Sequence, residues 1–423
     1  MIKGFKVYTS TPVSYKTDEV AKLQHLLVQS SFFNLLVVAV AGALLRAYPF
    51  LDTLPFTYKN LLHGHSHFAF GGWVMPILLA LIMKLFPELV RKADFAQWRN
   101  LTLLMLASAY GMLLSFPVQG YGVVSIIFST LSVLAGYYLV YLLWQALKHV
   151  PSKTSYLFLK AGLFYLAISA IGPFATGPLI AMGKSGSPLY HNSIYFYLHF
   201  QYNGWFLFAV LALLYKQLEA REKGGHGKTV FWLMNGACIP AFALSLLWNK
   251  PSLIYNFIGG AAALLQLVAL FYLWKDVRQF KASHQWLQHL LKAAFVAFVL
   301  KVILQVASAF PAIASMAYQN RNFVIAYLHL VLLGVITVFA MASTFQHYYI
   351  RRSINIRTGL AFFFVAFIVT ELLIAGAAAG NLWGFSIPFY TEQLLFFSFF
   401  LPAGLFLIFY DMSQQLRVLM YLD

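Results

Sequence analysis

The chain has 423 residues, of which 61% are hydrophobic and only 10% are charged, and its formal net charge is +17. A soluble domain carries about 25% charged residues, so this composition excludes an ordinary soluble globular protein. It predicts a chain that lies almost wholly within a membrane. The single cysteine, Cys238, excludes a disulfide framework and a thiolate metal site. Metal chemistry would therefore have to use histidine, of which there are twelve.

Apolar runs of about 20 residues, separated by short polar or Pro/Gly breaks, are typical of transmembrane helices. The predicted helices lie at 25–47, 61–86, 99–117, 122–147, 155–175, 189–217, 229–248, 252–275, 286–313, 322–348, 357–380 and 387–413. The runs lack the alternation of a transmembrane barrel. The sequence therefore predicts an all-α polytopic membrane protein, a single transmembrane domain over residues 1–423, with a polar N-terminal segment (1–22) and no secretory signal.

Basic residues are distributed unevenly between the two sides of the predicted membrane domain. The N-terminus and the loops after even-numbered helices carry most of them, and the opposite side has only Arg46, Lys59, Lys184, Lys250 and Arg321. The positive-inside rule then predicts an inner-membrane protein with both termini in the cytoplasm. The positive charge is explained by a solvated cytoplasmic face, so no nucleic-acid partner is expected.

A short repeat surrounds three of the histidines. The stretches read "HFAFGGW" (67–73), "HFQYNGW" (199–205) and "HLVLLGV" (329–335), and their starts are 132 and 130 residues apart. In each, a glycine follows the histidine by five residues: Gly72, Gly204 and Gly334. The repeat predicts three four-helix units, at about 25–147, 155–275 and 286–413, arranged as pseudo-symmetric arcs.

The repeat places His67, His199 and His329 on the second helix of each unit, in the outer half of the membrane. Ionisable side chains within a membrane are costly and usually functional, and neutral imidazole is an axial ligand of haem iron. A glycine beside such a ligand would leave room for the macrocycle. These features favour a haem or metal site over three structural histidines.

The segment "HGHSH" adds His63 and His65 to the first unit. On a helix, His63 and His67 share one face, whereas His65 points nearly the opposite way. Such a segment can therefore serve two centres. A low-spin haem held by His65 or His67 together with His329 is one expectation.

The chain resembles the catalytic subunit I of the haem-copper oxidase superfamily, which includes the nitric oxide reductases. The resemblance rests on "HGHSHFAFGGWVM" (63–75), "YLHFQYNGWF" (197–206) and "YLHLVLLGVITVFAMA" (327–342). It implies a b-type haem, one or two in number, and possible copper or non-haem iron. By the same resemblance, His329 is the low-spin haem ligand and His199 the non-haem metal ligand, with Asn203 where the reductases carry glutamate.

The chain also departs from that family. Helix seven, "VFWLMNGACIPAFALSLLW", has no histidine, and Tyr327 stands where the family has a high-spin haem ligand. "HNSIY" (191–195) matches the spacing of the oxidase histidine and its cross-linked tyrosine, which brings His191 and Tyr195 into consideration. A second centre would then combine His199 with His63 or His191.

Four further polar residues are candidates for supporting roles. Arg46 and Arg321 lie near ligand-bearing helices on the outer side and would suit haem propionates. Lys301 and Glu371 lie near the middle of helices nine and eleven. They could carry protons to the site, or form a structural ion pair or hydrogen-bonded pair.

Three functions remain open from the sequence. The first is an oxidoreductase that reduces O₂ or NO with electrons from a quinol, a cytochrome c or a small membrane subunit. The second is a non-enzymatic haem protein for electron transfer or for a response to NO. The third, a transporter, is disfavoured because transporters usually show inverted repeats with sites near the midplane.

Overall fold

The computed structural model describes residues 13–249 and 251–422, with side chains for 18–249 and 251–418. Within these ranges the protein is all-helical, with 84% of residues in helices and no strands. The first helix starts at Val13, so part of the predicted polar segment is helical, and residues 1–12 lie outside the described residues.

Eleven of the described helices are long and apolar enough to cross a membrane. Their candidate membrane spans are α1 (Asp18–Phe50), α2 (Tyr58–Leu85), α3 (Phe95–Gln119), α4 (Val123–His149), α5 (Thr154–Ala181), α7 (Gly227–Asn249), α8 (Ile254–Val277), α9 (Gln285–Ser308), α10 (Arg321–His347), α11 (Ile354–Trp383) and α12 (Tyr390–Val418). They match eleven of the twelve predicted segments, which confirms an all-α protein of the multi-pass membrane class.

The remaining helix, α6 (188–219), is continuous through Pro188–His199, Phe200–Phe206 and Leu207–Glu219. It is as long as the others but less apolar, since it carries His191, Asn192, Gln201 and Asn203. The helix is present, but its assignment as the sixth transmembrane helix is not confirmed by length and composition.

Helices α2, α6 and α10 form the centre of the bundle. In α2, 72% of the apolar stretch is buried, against 22–50% in the other ten candidate spans. Residues 75–85 of α2 pack against 207–219 of α6 and 338–347 of α10, and α6 and α10 meet through 200–206 and 330–337. These are the three helices that carry the sequence repeat.

Each central helix contains a π-helical segment next to its repeat histidine. The segments are Ala69–Val74, Phe200–Phe206 and Leu330–Thr337, and each includes the repeat glycine. The π-helix is rare, and short π segments inside α-helices are frequently found at functional sites. The sequence repeat is thus also a repeat of backbone conformation.

Indole hydrogen bonds join the central helices in a repeated register. Trp205 Nε1 donates to Met75 Sδ at 2.9 Å, and Trp73 Nε1 donates to Thr337 Oγ1 at 2.9 Å. In both cases the tryptophan directly follows the repeat glycine, and its acceptor lies three residues after the glycine of the neighbouring helix.

The third contact between central helices is that of α10 with α6. Here the residue after the repeat glycine of α10 is Val335, and the residue three positions after the repeat glycine of α6 is Leu207, so neither side chain can form such a hydrogen bond. There, α10 bonds to α6 nearer the helix ends, where Gln346 Nε2 donates to Gln217 Oε1 at 3.1 Å. All three junctions are therefore joined by a side-chain hydrogen bond.

The repeat glycines allow close packing between side chains and backbone. A Cβ on Gly204 would lie 2.6 Å from Tyr165 Cβ, and one on Gly72 would lie 2.6 Å from the Phe68 ring. A Cβ on Gly334 would lie 3.0 Å from Ala297 Cβ. Protein atoms thus fill the space beside each glycine.

We expect Gly204→Ala to destabilise the bundle by about 1–3 kcal/mol, the usual cost of overpacking a well-packed core. The added methyl group would press on Tyr165 in α5, whose backbone cannot move without disturbing α6. Thermal unfolding of the purified protein in detergent measures the effect. Gly177→Ala is the matched control, because a Cβ there meets no atom within 4 Å. Equal melting temperatures for the two variants would contradict this account of the glycine.

A polar network joins the helix ends opposite the histidines. Glu88, between α2 and α3, accepts hydrogen bonds from Tyr156 Oη at 2.6 Å and from Lys216 Nζ. Burial raises the pKa of Glu88, but the hydrogen bonds from Lys216 and Tyr156 outweigh it and lower the pKa below its usual value. The ionised carboxylate therefore ties α5 and α6 to the end of α2.

Because the folded-state pKa of Glu88 is depressed, its contribution to stability is present at neutral pH and is lost as the pH falls below about 5. We expect Glu88→Gln to lower Tm at pH 7 and to flatten the decline of Tm between about pH 5 and pH 3. Thermal unfolding across this range measures both effects. Asp52→Asn, at an exposed position between α1 and α2, should leave the profile unchanged. A parallel shift of the whole Glu88→Gln profile would contradict the titration.

Candidate functional site

The histidine-bearing ends of α2, α6 and α10 each begin with a side-chain cap. Thr57 Oγ1 accepts from Asn60 N at 3.2 Å, and Ser187 Oγ accepts from Tyr190 N at 3.3 Å. Asn320 Oδ1 similarly caps α10. Each repeat histidine follows its cap by about three helical turns. The caps set where each helix starts and therefore the depth of its histidine.

The "HGHSH" segment presents its histidines to two different helices, as its spacing predicts. His65 Nδ1–H donates to the Val38 carbonyl of α1 at 3.1 Å. Gly42 permits this approach, because a Cβ there would lie 3.3 Å from His65 Cε1. His63 and His67 instead face α3 and the loop that follows it.

On the α3 side, His67 is held by two aromatic residues. Its Nε2 lies 3.0 Å from Tyr121 Oη, and its ring stacks on Phe116 with centroids 4.3 Å apart and an interplanar angle of 8°. The His63 ring is 4.8 Å from the Tyr121 ring, edge to face. His63 Nε2 is buried and has no hydrogen-bond partner among the described residues.

His329 pairs with Glu371 of α11. Its Nδ1–H donates to Glu371 Oε1 at 2.8 Å, and the two side chains are 28% and 15% exposed. Glu371 Oε2 is buried and has no partner within the described ranges. Glu371, which its place in the sequence makes a candidate for proton transfer or for pairing with Lys301, contacts His329 instead.

His65 and His329 are carried by two different central helices, α2 and α10. His65 lies within electrostatic range of both His329 and Arg46. Tyr390 lies within electrostatic range of Arg46 and Glu371. In the part of the chain that the structure describes, neither His65 Nε2 nor His329 Nε2 has a hydrogen-bond partner. Each ring therefore has one nitrogen anchored to an oxygen and the other available to a ligand.

His199 has both ring nitrogens in hydrogen bonds. Its Nε2–H donates to the Cys238 carbonyl at 2.8 Å, and Asn203 Nδ2 lies 3.3 Å from its Nδ1. In a regular α-helix the Cys238 carbonyl would accept from Phe242 N. In α7, Phe242 N donates to the Ile239 carbonyl instead, which leaves the Cys238 carbonyl to accept from His199. His199 is thus occupied by the irregular turn in α7.

The predicted second metal set is not brought together. His191 and Tyr195 pack on Trp248, with ring centroids 5.4 and 6.0 Å away. His63 faces α3, and His199 faces α7. Across residues 13–249 and 251–422, no three His, Cys, Asp or Glu side chains group as a metal site.

Arg321 and Lys301 occupy separate surroundings. Arg321 is exposed and lies within electrostatic range of His63 and Tyr195. Lys301 is 1% exposed, and its Nζ donates to Gln266 Oε1 at 3.1 Å. Lys301 and Glu371 form no ion pair among the described residues. Lys301 bonds Gln266, and Glu371 bonds His329.

Several residues of the site were not found from the sequence. Val38 acts through a backbone carbonyl and leaves no signal in its side chain. Gly42 lies in the small-residue run "VAVAGA" of α1, which could have indicated a close approach. Gln266 and the Cys238 carbonyl depend on which helices meet, and a sequence without that information cannot identify them.

Comparison with known protein families finds no family model that matches the chain, and comparison with curated proteins finds no match. What the fold and this geometry define is an all-helical protein of the multi-pass membrane class, in which His65 and His329, on two central helices, each have one ring nitrogen bonded to an oxygen acceptor.

We expect His199→Leu to destabilise the protein by about 1–3 kcal/mol, because it leaves the buried Cys238 carbonyl unpaired. Thermal unfolding measures the loss, and elemental analysis of the purified variant should show unchanged metal content. His149→Leu, at an exposed position in α4, is the control. A variant that kept its stability but lost bound metal would show instead that His199 is a ligand.

Proposed function

We propose that this protein binds a low-spin b-type haem between α2 and α10, with His65 and His329 as axial ligands, and that it transfers electrons in the membrane. One observation carries the proposal. Both histidines direct Nδ1–H to an oxygen acceptor and leave Nε2 without a hydrogen-bond partner among the described residues. Ligating histidines almost always show this arrangement, because the second bond sets the tautomer and the ring orientation.

The donor set fits haem. Two neutral imidazoles give iron a low-spin centre suited to carrying one electron. The Glu371 carboxylate would make His329 the more basic ligand, since such partners raise ligand basicity. Arg46, within electrostatic range of His65, would suit a haem propionate.

The proposed haem site belongs to a larger arrangement of membrane helices. We propose that α6 completes a set of twelve membrane helices in three arcs, as in the haem-copper oxidase superfamily. The three π segments and the repeated register of the tryptophan hydrogen bonds support a common origin for the three units. With the basic loops in the cytoplasm, both termini face inwards across an inner membrane.

Electron transfer is favoured over gas reduction by the state of His199. Its ring nitrogens are hydrogen-bonded to the Cys238 carbonyl and to Asn203, so His199 could bind copper or non-haem iron only by giving up one of these bonds. In this proposal a quinol, a cytochrome c or a small membrane subunit supplies the electrons.

A second candidate function, reduction of O₂ or NO, draws support from Lys301. Lys301 is buried within electrostatic range of His199, and Gln305 Oε1 one turn away has no partner among the described residues. Reduction of either gas consumes protons, and a buried lysine could supply them. The oxidase or reductase function would require His199 to exchange its Cys238 hydrogen bond for a metal.

A visible spectrum of the purified protein tests the haem directly. We expect a reduced-minus-oxidised spectrum of bis-histidine haem, and we expect His65→Ala and His329→Ala each to abolish it. His67→Ala is the matched control from the same helix: because His67 faces Tyr121, its loss should leave the spectrum intact. Glu371→Gln should retain haem and shift the midpoint potential upwards, since a neutral partner makes His329 a weaker donor.

Two outcomes would overturn parts of the proposal. If the wild-type protein contains no haem after expression with haem precursor, haem binding is rejected. If His67→Ala abolishes the spectrum and His65→Ala does not, the ligand on α2 is wrong. Binding of CO or NO to the reduced protein would favour the gas-reducing alternative.

A further inference from the structure

The α3-facing histidines form a second cluster that the proposed haem site does not use. His63 and His67 are one turn apart on α2, and their ring centroids are 6.5 Å apart. Tyr121 lies against both: its hydroxyl is 3.0 Å from His67 Nε2, and its ring is 4.8 Å from the His63 ring. The two imidazole rings and the phenol ring thus form one cluster beside the loop after α3, with the phenol oxygen next to His67 Nε2.

His63 Nε2 lacks a partner in a setting where one is expected. Buried polar atoms are nearly always hydrogen-bonded, and each exception needs an explanation such as an absent water or ion. The atom is buried among the rings of Tyr121, His67 and Phe116. The Tyr121 side chain is itself 53% exposed, which leaves a route from the surface to the cluster.

We infer that His63, His67 and Tyr121 bind a divalent first-row transition metal ion, at a site separate from the haem. Imidazole nitrogen suits zinc, copper and nickel, and copper(II) is the tightest binder of the series. A water molecule would complete the coordination.

The geometry needs only a small adjustment. Two imidazoles on one tetrahedral ion have centroids about 5–5.5 Å apart, given metal–nitrogen bonds of about 2.0–2.1 Å. The two rings must therefore approach by about 1 Å, which rotation of the His63 side chain can provide. The stack on Phe116 holds His67 in position while His63 moves.

Two cations act against this site. Lys59 and Arg321 lie within electrostatic range of His63 and would repel a metal ion. Both side chains are exposed, so solvent and salt screen this repulsion. The same charges would favour an anion, and their removal therefore distinguishes a metal site from an anion site.

Binding of Zn²⁺ to the full-length, tag-free protein in detergent, measured by equilibrium dialysis with elemental analysis, tests the inference. We expect one Zn²⁺ per chain in addition to haem iron. His63→Gln should weaken binding by at least about 100-fold, because loss of a direct ligand exceeds the 10–100-fold cost of an outer-shell partner. Tyr121→Phe keeps the ring contacts and should weaken binding about tenfold. His149→Gln is the control and should bind as the wild type does.

Copper(II) in place of zinc gives a spectroscopic signature that does not depend on how well the variants fold. The electron paramagnetic resonance spectrum of the wild-type protein should show coupling to two imidazole nitrogens. Arg321→Gln should tighten metal binding about two- to fivefold at low salt, as expected for one screened charge.

Unchanged Zn²⁺ affinity in His63→Gln, or a copper spectrum without imidazole nitrogens, would overturn the inference. Binding of inorganic phosphate that Arg321→Gln weakens, without stoichiometric metal, would show an anion site instead. None of these results depends on haem, because His65 and His329 remain intact in every variant.

Discussion

The rest of the structure depends on hydrogen bonds between side chains at the centre of the bundle. A membrane offers little hydrophobic drive for helices to associate, so close packing and interhelical hydrogen bonds hold them together. Trp205 bonds to Met75 and Trp73 bonds to Thr337, each in the same register relative to a repeat glycine. These bonds set the relative depth of α2, α6 and α10. The relative depth of these helices in turn determines the relative depth of every histidine that they carry.

The same helix then supports two kinds of chemistry on opposite faces. His65 faces α1, where the Val38 carbonyl accepts from its Nδ1–H, and its Nε2 has no hydrogen-bond partner among the described residues. His63 and His67 face α3, where aromatic rings surround them. The proposed haem and the proposed metal ion would thus share one helix as their common support, and each depends on a neighbour that the other does not use.

Predictions that followed from periodicity and length were mostly met, because apolar length and helical spacing are local properties. The helical spacing of 100° per residue predicted the two faces of the "HGHSH" segment. The apolar runs predicted the eleven described helices that are long and apolar enough to cross a membrane. The predicted equivalence of His67, His199 and His329 did extend to the backbone, as three π segments. It did not extend to side-chain surroundings: His67 bonds Tyr121, His199 bonds Cys238, and His329 bonds Glu371.

The sequence by itself determined the class of the protein, the candidate histidines and the faces they occupy, since these depend on composition and on the geometry of one helix. Only the tertiary structure decided that His65 bonds the Val38 carbonyl and lies within electrostatic range of His329. It also decided that Glu371 pairs with His329, that Lys301 bonds Gln266, and that His199 serves the turn in α7. Each of these outcomes depends on atoms from helices far apart in the chain, several of them backbone carbonyls. Their positions are set when the helices pack.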